Sequence, residues 1–297
     1  MKQQLKKIYQ KSKYYLSPVL FDKLNYLRAY KGFLKYKDLV SKNIELKDKH
    51  KGERCFILGS GLSIKKEDLK PLKNEIVFAL NNFYVHPDFD IIMSGDKAKY
   101  YMTAPIHPPQ TEEEWKEWFS DMEKHIPKTT TMLLGLNNYK GNIKYIFDKY
   151  GLFKEHQIYW YYAGRQVNEY DQFNKKDIDI TNMIWSANTV SIYALIFAIY
   201  MGFDEIYLLG MDHTQICNTN NSQNSIRFYN KAKHQSKELP LNISDKIIQV
   251  NQYLSRYIQW KQYYILSKLN PNIYNCSLKS LLRLFLFKEL KKVLHES

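Results

Sequence analysis

Short apolar runs recur along the chain and are separated by segments with helical spacing. The runs are apolar at nearly every position, which is typical of parallel strands covered on both faces. They lie at 54–58, 75–80, 90–94, 130–135, 157–162, 205–210 and 272–276. The helical segments lie at about 64–72, 112–125, 140–150, 188–202, 244–268 and 278–294. This alternation predicts an α/β fold with a Rossmann-like, doubly wound, mostly parallel sheet.

The same pattern predicts a central domain with an extension at each end. Residues 1–51 are rich in Lys and Tyr and predict a basic helical N-terminal extension, and residues 52–277 predict the Rossmann-like domain. Residues 278–297 predict a basic amphipathic C-terminal helix. Within the domain, the polar stretch at about 214–243 has no clear period, which favours either a lid over a site or a disordered connection.

Composition and charge narrow the function classes. The chain has 297 residues, a hydrophobic fraction of 44% and a formal net charge of +14. Its three cysteines are far apart and fit neither a disulfide framework nor a metal pair, which favours a cytoplasmic protein. We find no 18-residue apolar run and no signal-peptide pattern, so we expect neither a membrane span nor secretion.

The excess of positive charge at the two ends suggests a partner. A basic amphipathic C-terminal helix would bind an anionic membrane surface, giving a peripheral protein on the inner face of the plasma membrane, or would dock on the core with its basic face in solvent. Nucleic acid is not expected, because the sequence has no zinc-finger spacing, RNP motif or helix-turn-helix pattern. A homo-oligomer and a monomer both stay open.

Three segments carry candidate chemistry at predicted strand ends. The run 54–58 delivers Gly59-Ser60-Gly61, with Ser63 as a candidate cap for the helix that follows, and the next strand ends on Asn81-Asn82. The stretch 186–215 predicts a cap, a buried helix and a strand that ends in Asp212-His213. Since ligands of open α/β sheets bind outside the carboxyl ends of the strands, we expect these residues to line one pocket.

These segments, "GSGLS", "LNNFY" and "MGFDEIYLLGMD", followed by "IYNCSLKSLL", resemble the bacterial α-2,3-type sialyltransferases of glycosyltransferase family 42. The resemblance covers about residues 52–285. The glycine loop and the pattern around the last strand are also similar to a wider group that includes archaeal-type hydroxymethyldihydropterin pyrophosphokinases. The sequence departs from the sialyltransferase pattern at Ser60, where the family has Asn, and at Leu62, where it has Pro.

The resemblance implies a nucleotide-sugar-binding catalytic domain that binds CMP-activated sialic acid, or a related nonulosonic acid, and transfers the sugar with inversion and without a metal. The acceptor would be a surface glycan of lipopolysaccharide or capsule. The residues that would hold the donor are Gly59, Ser60, Gly61, Ser63, Asn81, Asn82, Asn188 and Thr189. Asp212 would close the pocket floor. Tyr229, together with the lid cations Arg227, Lys231 and Lys233, would neutralise the departing CMP.

The general base would be a histidine in the lid. The context "FYNKAKHQS" at 228–236 favours His234, and His213 is its rival because it directly follows a strand-end Asp. No cofactor or metal is expected, since neither "SGD" at 94–96 nor "GMDH" at 210–213 makes the Asp-x-Asp motif of metal-dependent glycosyltransferases.

Two other functions stay open. One is a pyrophosphokinase-like transfer that uses ATP and Mg²⁺, which would need clustered acidic ligands. The other is a non-catalytic basic scaffold that binds anionic lipid or nucleic acid through its ends.

Overall fold

The computed structural model describes residues 17–165, 178–213, 227–229, 246–270, 272–278 and 280–295, without the side chains of 18 and 246–256. Over these residues the fold is one nine-stranded sheet in which all neighbouring strands run parallel. Its spatial order is β6-β5-β4-β3-β2-β1-β7-β8-β9. The prediction of a Rossmann-like α/β fold with a mostly parallel sheet is therefore confirmed.

The strands are short, and the central ones are almost wholly buried. Their bounds are β1 Arg54–Leu58, β2 Ile76–Leu80, β3 Lys99–Thr103, β4 Thr131–Leu136, β5 Ile158–Arg165, β6 Met183–Trp185, β7 Glu205–Leu209, β8 Ile273–Asn275 and β9 Leu286–Phe287. Because successive side chains of a strand point to opposite faces, Cys55 and Ile57 pack in one core while Phe56 and Leu58 pack in the other. Both faces of the sheet are thus covered, as the apolar runs predicted.

The helices cover the two faces. Their bounds are α1 Pro18–Phe33, α2 Lys37–Ser41, α3 Phe89–Met93, α4 Glu112–His125, α5 Ile143–Tyr150, α6 Val190–Tyr200, α7 Lys246–Leu269 and α8 Leu290–His295. Helices α6 and α7 contribute to one core, whereas α3, α4, α5 and α8 contribute to the other. Among the described residues, no helix is long and apolar enough to cross a membrane.

Helix α4 matches its predicted bounds because its signals are local. Thr111 and Glu114 form a capping box, in which each side chain accepts a hydrogen bond from the other residue's backbone amide. Trp118, Phe119 and Met122 form its buried stripe. The acidic run Glu112–Glu114 lies in the first turn, where negative charge stabilises a helix.

The predicted strand at 90–94 is wrong, because these residues belong to helix α3. The buried side chains of Phe89, Ile92 and Met93 have helical spacing, and Ile91 between them is exposed. The missed strand β3 follows instead. Its first residue, Lys99, is buried, and its ammonium group donates to the carbonyl oxygens of Leu72, Lys73 and Glu75 at 2.7–3.0 Å.

The predicted C-terminal helix at 278–297 is also wrong over most of its length. The described residues from 280 to 289 form turns and the short edge strand β9, and only Leu290–His295 are helical. The backbone of this segment bonds to neighbouring strand ends, since the amide of Leu281 donates to the carbonyl oxygen of Asp212, just after β7, and the amide of Lys288 donates to that of Asn275 in β8.

The described part of the N-terminal extension is mostly helical, in α1, α2 and a 3-10 turn at Lys42–Leu46, with turns at 34–36 and 47–51. It is packed into the domain, because Phe33, Val40 and Leu46 are buried in the two cores. The polar lid predicted at about 214–243 lies outside the described residues except for 227–229.

Candidate active site

The order of the strands places the site. From β1 the chain builds the sheet outward to β6, then returns to add β7 on the other side of β1. The carboxyl ends of β1 and β7 therefore flank the position where the strand order reverses, which is the usual ligand site of an open α/β sheet.

Glycines bring the two strand exits into contact at this position. The amides of Gly59 and Gly61 donate to the carbonyl oxygens of Leu209 and Gly210, both at 2.8 Å. A Cβ on Gly61 would lie 2.5 Å from the carboxyl carbon of Asp212 and 2.7 Å from the carbonyl oxygen of Gly210. Gly210 has φ +66°, which glycine adopts without strain. The glycine loop is thus required for the close approach of β1 and β7.

Asp212 holds the glycine loop. Its buried carboxylate accepts one hydrogen bond from the amide of Ser63, at 2.8 Å, and a second from the hydroxyl of the same residue. Ser63 is therefore engaged with Asp212, and it does not line the cavity between the strands. These contacts give Asp212 a positioning role toward the loop.

The motif "IYNCSLKSLL" holds the other side of the same strand exit. Ser277 Oγ accepts a hydrogen bond from the amide of Gly210 at 3.0 Å, and Ser280 Oγ donates to the carbonyl oxygen of Met211 at 2.6 Å. The amide of Leu281 donates to the carbonyl oxygen of Asp212 at 2.9 Å. The fourth string of the sequence resemblance therefore fixes the backbone that carries Asp212.

At the end of β2, Asn81 and Asn82 face different surroundings. Asn81 has φ 49° and its carbonyl oxygen accepts from the hydroxyl of Tyr101, whose pKa burial raises well above its ordinary value, so that the group stays a donor. No described residue hydrogen bonds the Asn81 side chain, which lines the cavity. Asn82 is buried, and its side chain bonds to Trp118 and Tyr229.

Residues 227–229 close one side of the loop. Arg227 and Gly61 form an antiparallel bridge, and the amide of Phe228 donates to the carbonyl oxygen of Ser60 at 3.0 Å. Phe228 is buried against Phe83 and His86, which fixes this short segment. Tyr229 does not line the cavity itself, but its hydroxyl accepts a 2.7 Å hydrogen bond from the guanidinium of Arg227, which does.

The N-terminus of α6 lies across the cavity from the glycine loop. Thr189 is its N-cap residue, and the Thr189 side chain forms no capping hydrogen bond. The Thr189 hydroxyl instead lies 3.0 Å from that of Ser191, which bonds to Tyr263. The amide of Ile192 donates to the carbonyl oxygen of Thr189 at 3.3 Å, whereas the amides of Val190 and Ser191 bond to no described residue, so this end of the helix favours an anion.

These elements enclose a cavity of about 140 Å³ between the glycine loop and α6. A second, larger cavity of about 1000 Å³ continues from it. The two share Asn81, Thr189, Val190 and Arg227 as lining residues. The arrangement is a small polar pocket that opens into a wide groove.

The predicted site residues fall into three groups within the described part of the chain, and one lies outside it. Those that line the small cavity are Gly59, Ser60, Gly61, Asn81, Thr189 and Asp212, together with His213, the rival base. Asn188 lines the groove, while Ser63, Asn82 and Tyr229 lie behind the walls. His234 lies outside the described residues.

The sequence argument missed several cavity residues. Arg227 was named only as one of several lid cations, Ser191 only as part of a buried helix, and Gln259 not at all, yet all three line the small cavity. Gln259 had no local signal, since α7 reads as an ordinary amphipathic helix. Over the described part of the chain, no three His, Cys, Asp or Glu side chains cluster to hold a metal ion. That the reaction needs no metal ion remains a prediction.

Comparison with known proteins returned no matching family model and no matching curated protein. Two solved structures of the sialyltransferase CstII from Campylobacter jejuni are similar to the chain. One, in complex with cytidine-5'-monophosphate, is 20% identical, with 80% of this chain and 85% of that chain covered and a TM-score of 0.43. The other, in complex with CMP-3FNeuAc, is 18% identical, with 79% and 84% covered and a TM-score of 0.41.

Proposed function

We propose that the chain is a glycosyltransferase of the sialyltransferase type, which transfers sialic acid or a related nonulosonic acid from a CMP-activated donor to a glycan. The observation that carries the proposal is the small cavity, where the Ser60 loop, the Asn81 side chain and the uncapped end of α6 converge. The sequence resemblance to family 42 supports the choice of donor.

The small cavity suits a phosphate ester. The amide and hydroxyl of Ser60 form no hydrogen bond to any other described residue, so both are available as donors. Helix α6 adds amides whose dipoles favour negative charge. Asn81 adds a carboxamide, which reads the base or ribose by hydrogen bonds without carrying charge. Asp212 keeps its charge, but the two hydrogen bonds from Ser63 engage one lone pair on each carboxylate oxygen, which limits its repulsion of a phosphate.

The groove has the volume for the sugar and an acceptor, and Arg227 lies at its boundary with the small cavity. In the proposed reaction an acceptor hydroxyl oxygen attacks the anomeric carbon from the face opposite the phosphate. The bond from that carbon to the phosphate oxygen breaks, and CMP leaves with the electron pair. Arg227 stabilises the charge that develops on the phosphate. The configuration is inverted.

The base that takes the acceptor proton is proposed to be His234, on the strength of the family resemblance. His213 is the alternative, because it lines the small cavity next to Asp212. Histidine suits the role of general base, because the ordinary pKa of an imidazole, about 6.5, lies close to neutral pH. Separate His234→Ala and His213→Ala variants discriminate them: the base variant keeps CMP affinity and loses turnover of the CMP-sugar.

The acceptor is proposed to be a surface glycan of lipopolysaccharide or capsule, with the protein in the cytoplasm and no metal required. The test is a thermal-shift panel of CMP, CDP, UDP, GDP and ATP, each with and without Mg²⁺. We expect CMP to raise the melting temperature without Mg²⁺. Stabilisation by ATP with Mg²⁺ alone would indicate a pyrophosphokinase, and no stabilisation by any nucleotide would leave a binding scaffold.

The variant Asn81→Gly tests whether CMP binds in the small cavity. Glycine tolerates the positive φ of this position, so the substitution removes only the carboxamide. The loss of one neutral hydrogen bond should weaken CMP binding about fivefold. Asp48→Gly is the matched control, because Asp48 also has a positive φ, 52°, and lines neither cavity. Equal CMP affinities in the two variants would remove Asn81 from the site.

A further inference from the structure

Helix α1 presents two different faces. Its inner face packs on the end of β5 and on the loop after β4, with Ala29 and Phe33 buried. Gly32 permits the close approach, because a side chain there would collide with Asn138 and Tyr162. Phe21, Asp22, Asn25, Arg28 and Ala29 line the groove beside the candidate active site. The helix is therefore a fixed wall of that groove.

The opposite face of α1 is apolar and exposed. Of the eighteen large hydrophobic side chains exposed in the described residues, seven lie between 19 and 34. They are Val19, Leu20, Leu24, Tyr26, Leu27, Tyr30 and Leu34. Leu27 and Leu34 near the centre of this face are 52% and 51% exposed. Such a concentration on one helix marks an interaction surface.

The polar residues of this outer face are cationic. Lys23 and Lys31 lie among the exposed leucines, and Lys35 lies two residues beyond the end of the helix. The one acidic residue of α1, Asp22, lines the groove on the inner side. The outer face thus combines leucines and tyrosines with lysines and carries no carboxylate.

We propose that the outer face of α1 docks on an anionic lipid bilayer. A helix that buries leucines and tyrosines at the boundary of headgroups and acyl chains, with lysines beside them, has the composition of an interfacial helix. The lysines contact the anionic headgroups, and each raises binding roughly fivefold. Tyr26 and Tyr30 stack with ring centroids 6.0 Å apart and present their amphipathic rings at that boundary.

A second copy of the chain fits this face less well. In a two-fold contact between α1 helices, the same face meets itself. Lysines would then oppose lysines with no acidic residue of the face to pair with them. Anionic lipid supplies the missing negative charge.

The docking has a consequence that rests on the proposed function. The groove lies on the other side of α1, so its wall would sit about one helix diameter, roughly 10 Å, from the membrane surface. A glycan that is anchored in the same membrane by a lipid would reach the groove without leaving the bilayer.

The test measures binding of the full chain to vesicles, without nucleotide, so that it is independent of the proposed activity. Phosphatidylcholine vesicles that contain about one-third phosphatidylglycerol are compared with pure phosphatidylcholine vesicles by co-sedimentation. The variant Lys23→Gln/Lys31→Gln/Lys35→Gln should lower the partition coefficient about 100-fold. The matched control, Lys73→Gln/Lys124→Gln/Lys154→Gln, makes the same change of charge at three exposed lysines outside α1 and should keep the partition coefficient within about threefold.

A second variant tests the apolar component. Leu27→Ser/Leu34→Ser changes half-exposed side chains, so the fold should persist while binding to anionic vesicles falls. The proposal is overturned if the wild-type chain does not bind anionic vesicles, or if the two triple variants bind equally. A dimer in analytical ultracentrifugation that Leu27→Ser/Leu34→Ser dissociates would also overturn it and assign the face to a second copy.

Discussion

The contact between Ser63 and Asp212 is expected to hold the glycine loop, and a double-mutant cycle measures it. Ser63→Ala removes the hydroxyl donor and leaves the amide donor, which bonds the same carboxylate at 2.8 Å. A hydrogen bond to a charged group contributes about 1.5–3 kcal/mol. Because Asp212 is buried, we expect Ser63→Ala to lower the free energy of unfolding by about 2 kcal/mol.

Asp212→Asn keeps the shape but removes the charge, since its oxygen can accept from the Ser63 amide while its N–H₂ group donates to the Ser63 hydroxyl oxygen. Turning charge-assisted bonds into neutral ones should cost about 1–2 kcal/mol. In the Asp212→Asn background, Ser63→Ala then removes only a neutral bond, worth about 1 kcal/mol. The two costs should therefore be sub-additive by at least about 1 kcal/mol. Urea unfolding followed by tryptophan fluorescence gives the four free energies. Ser94→Ala is the control, because its hydroxyl bond is exposed and should be worth less than about 0.5 kcal/mol. Additivity within about 0.5 kcal/mol would refute the positioning role of Asp212.

Two further predictions concern stability. Burial lowers the pKa of His50 and of His86, so the unfolded chain binds protons first as the pH falls below about 6.5. The free energy of unfolding should therefore decrease as the pH is lowered from 7.5 to 5.5, and the decrease should be smaller in His86→Asn. A melting temperature that stays constant or rises toward pH 5.5 would contradict this. Gly61→Ala should lower the free energy of unfolding by at least about 2 kcal/mol, because the new Cβ would lie 2.7 Å from a backbone oxygen. The control Gly141→Ala should lower it by less than about 1 kcal/mol, because its Cβ would meet only the Tyr139 ring, at 3.1 Å. Equal urea midpoints of the two variants would contradict this expectation.

The sheet was predictable where the signal is local. Strand β1 and helix α4 match their predicted bounds, since an unbroken apolar run and a capping box depend on few distant contacts. Strand β3 could not be read in the same way, because it begins with Lys99. Its ammonium group is satisfied by three carbonyl oxygens from residues 24 to 27 positions earlier. Whether a lysine can be buried in this way depends on tertiary contacts and not on the local sequence.

The helix predicted for the C-terminal segment was wrong for a related reason. The spacing of Leu281, Leu282 and Phe285 fits a helix, but the hydroxyls of Ser277 and Ser280 bind the backbone at the end of β7. Hydroxyls that compete for backbone partners divert a chain from a helix, and which partner wins depends on where β7 ends. Leu282 and Phe285 are buried as the spacing suggests, although the segment is not helical.

The predicted site residues also separate by what their side chains bind. A sequence comparison selects Ser63, Asp212 and Asn82 together with Ser60 and Asn81, because all five lie at strand ends. In the fold, the side chains of the first three bond to other residues of the protein, although Asp212 also lines the cavity, whereas the side chains of Ser60 and Asn81 bond to no described residue and line the cavity. Substitutions in the first group should therefore change stability and ligand affinity together. Substitutions of Ser60 and Asn81, the second group, should change ligand affinity alone. This difference separates a residue that binds the donor from one that shapes the pocket.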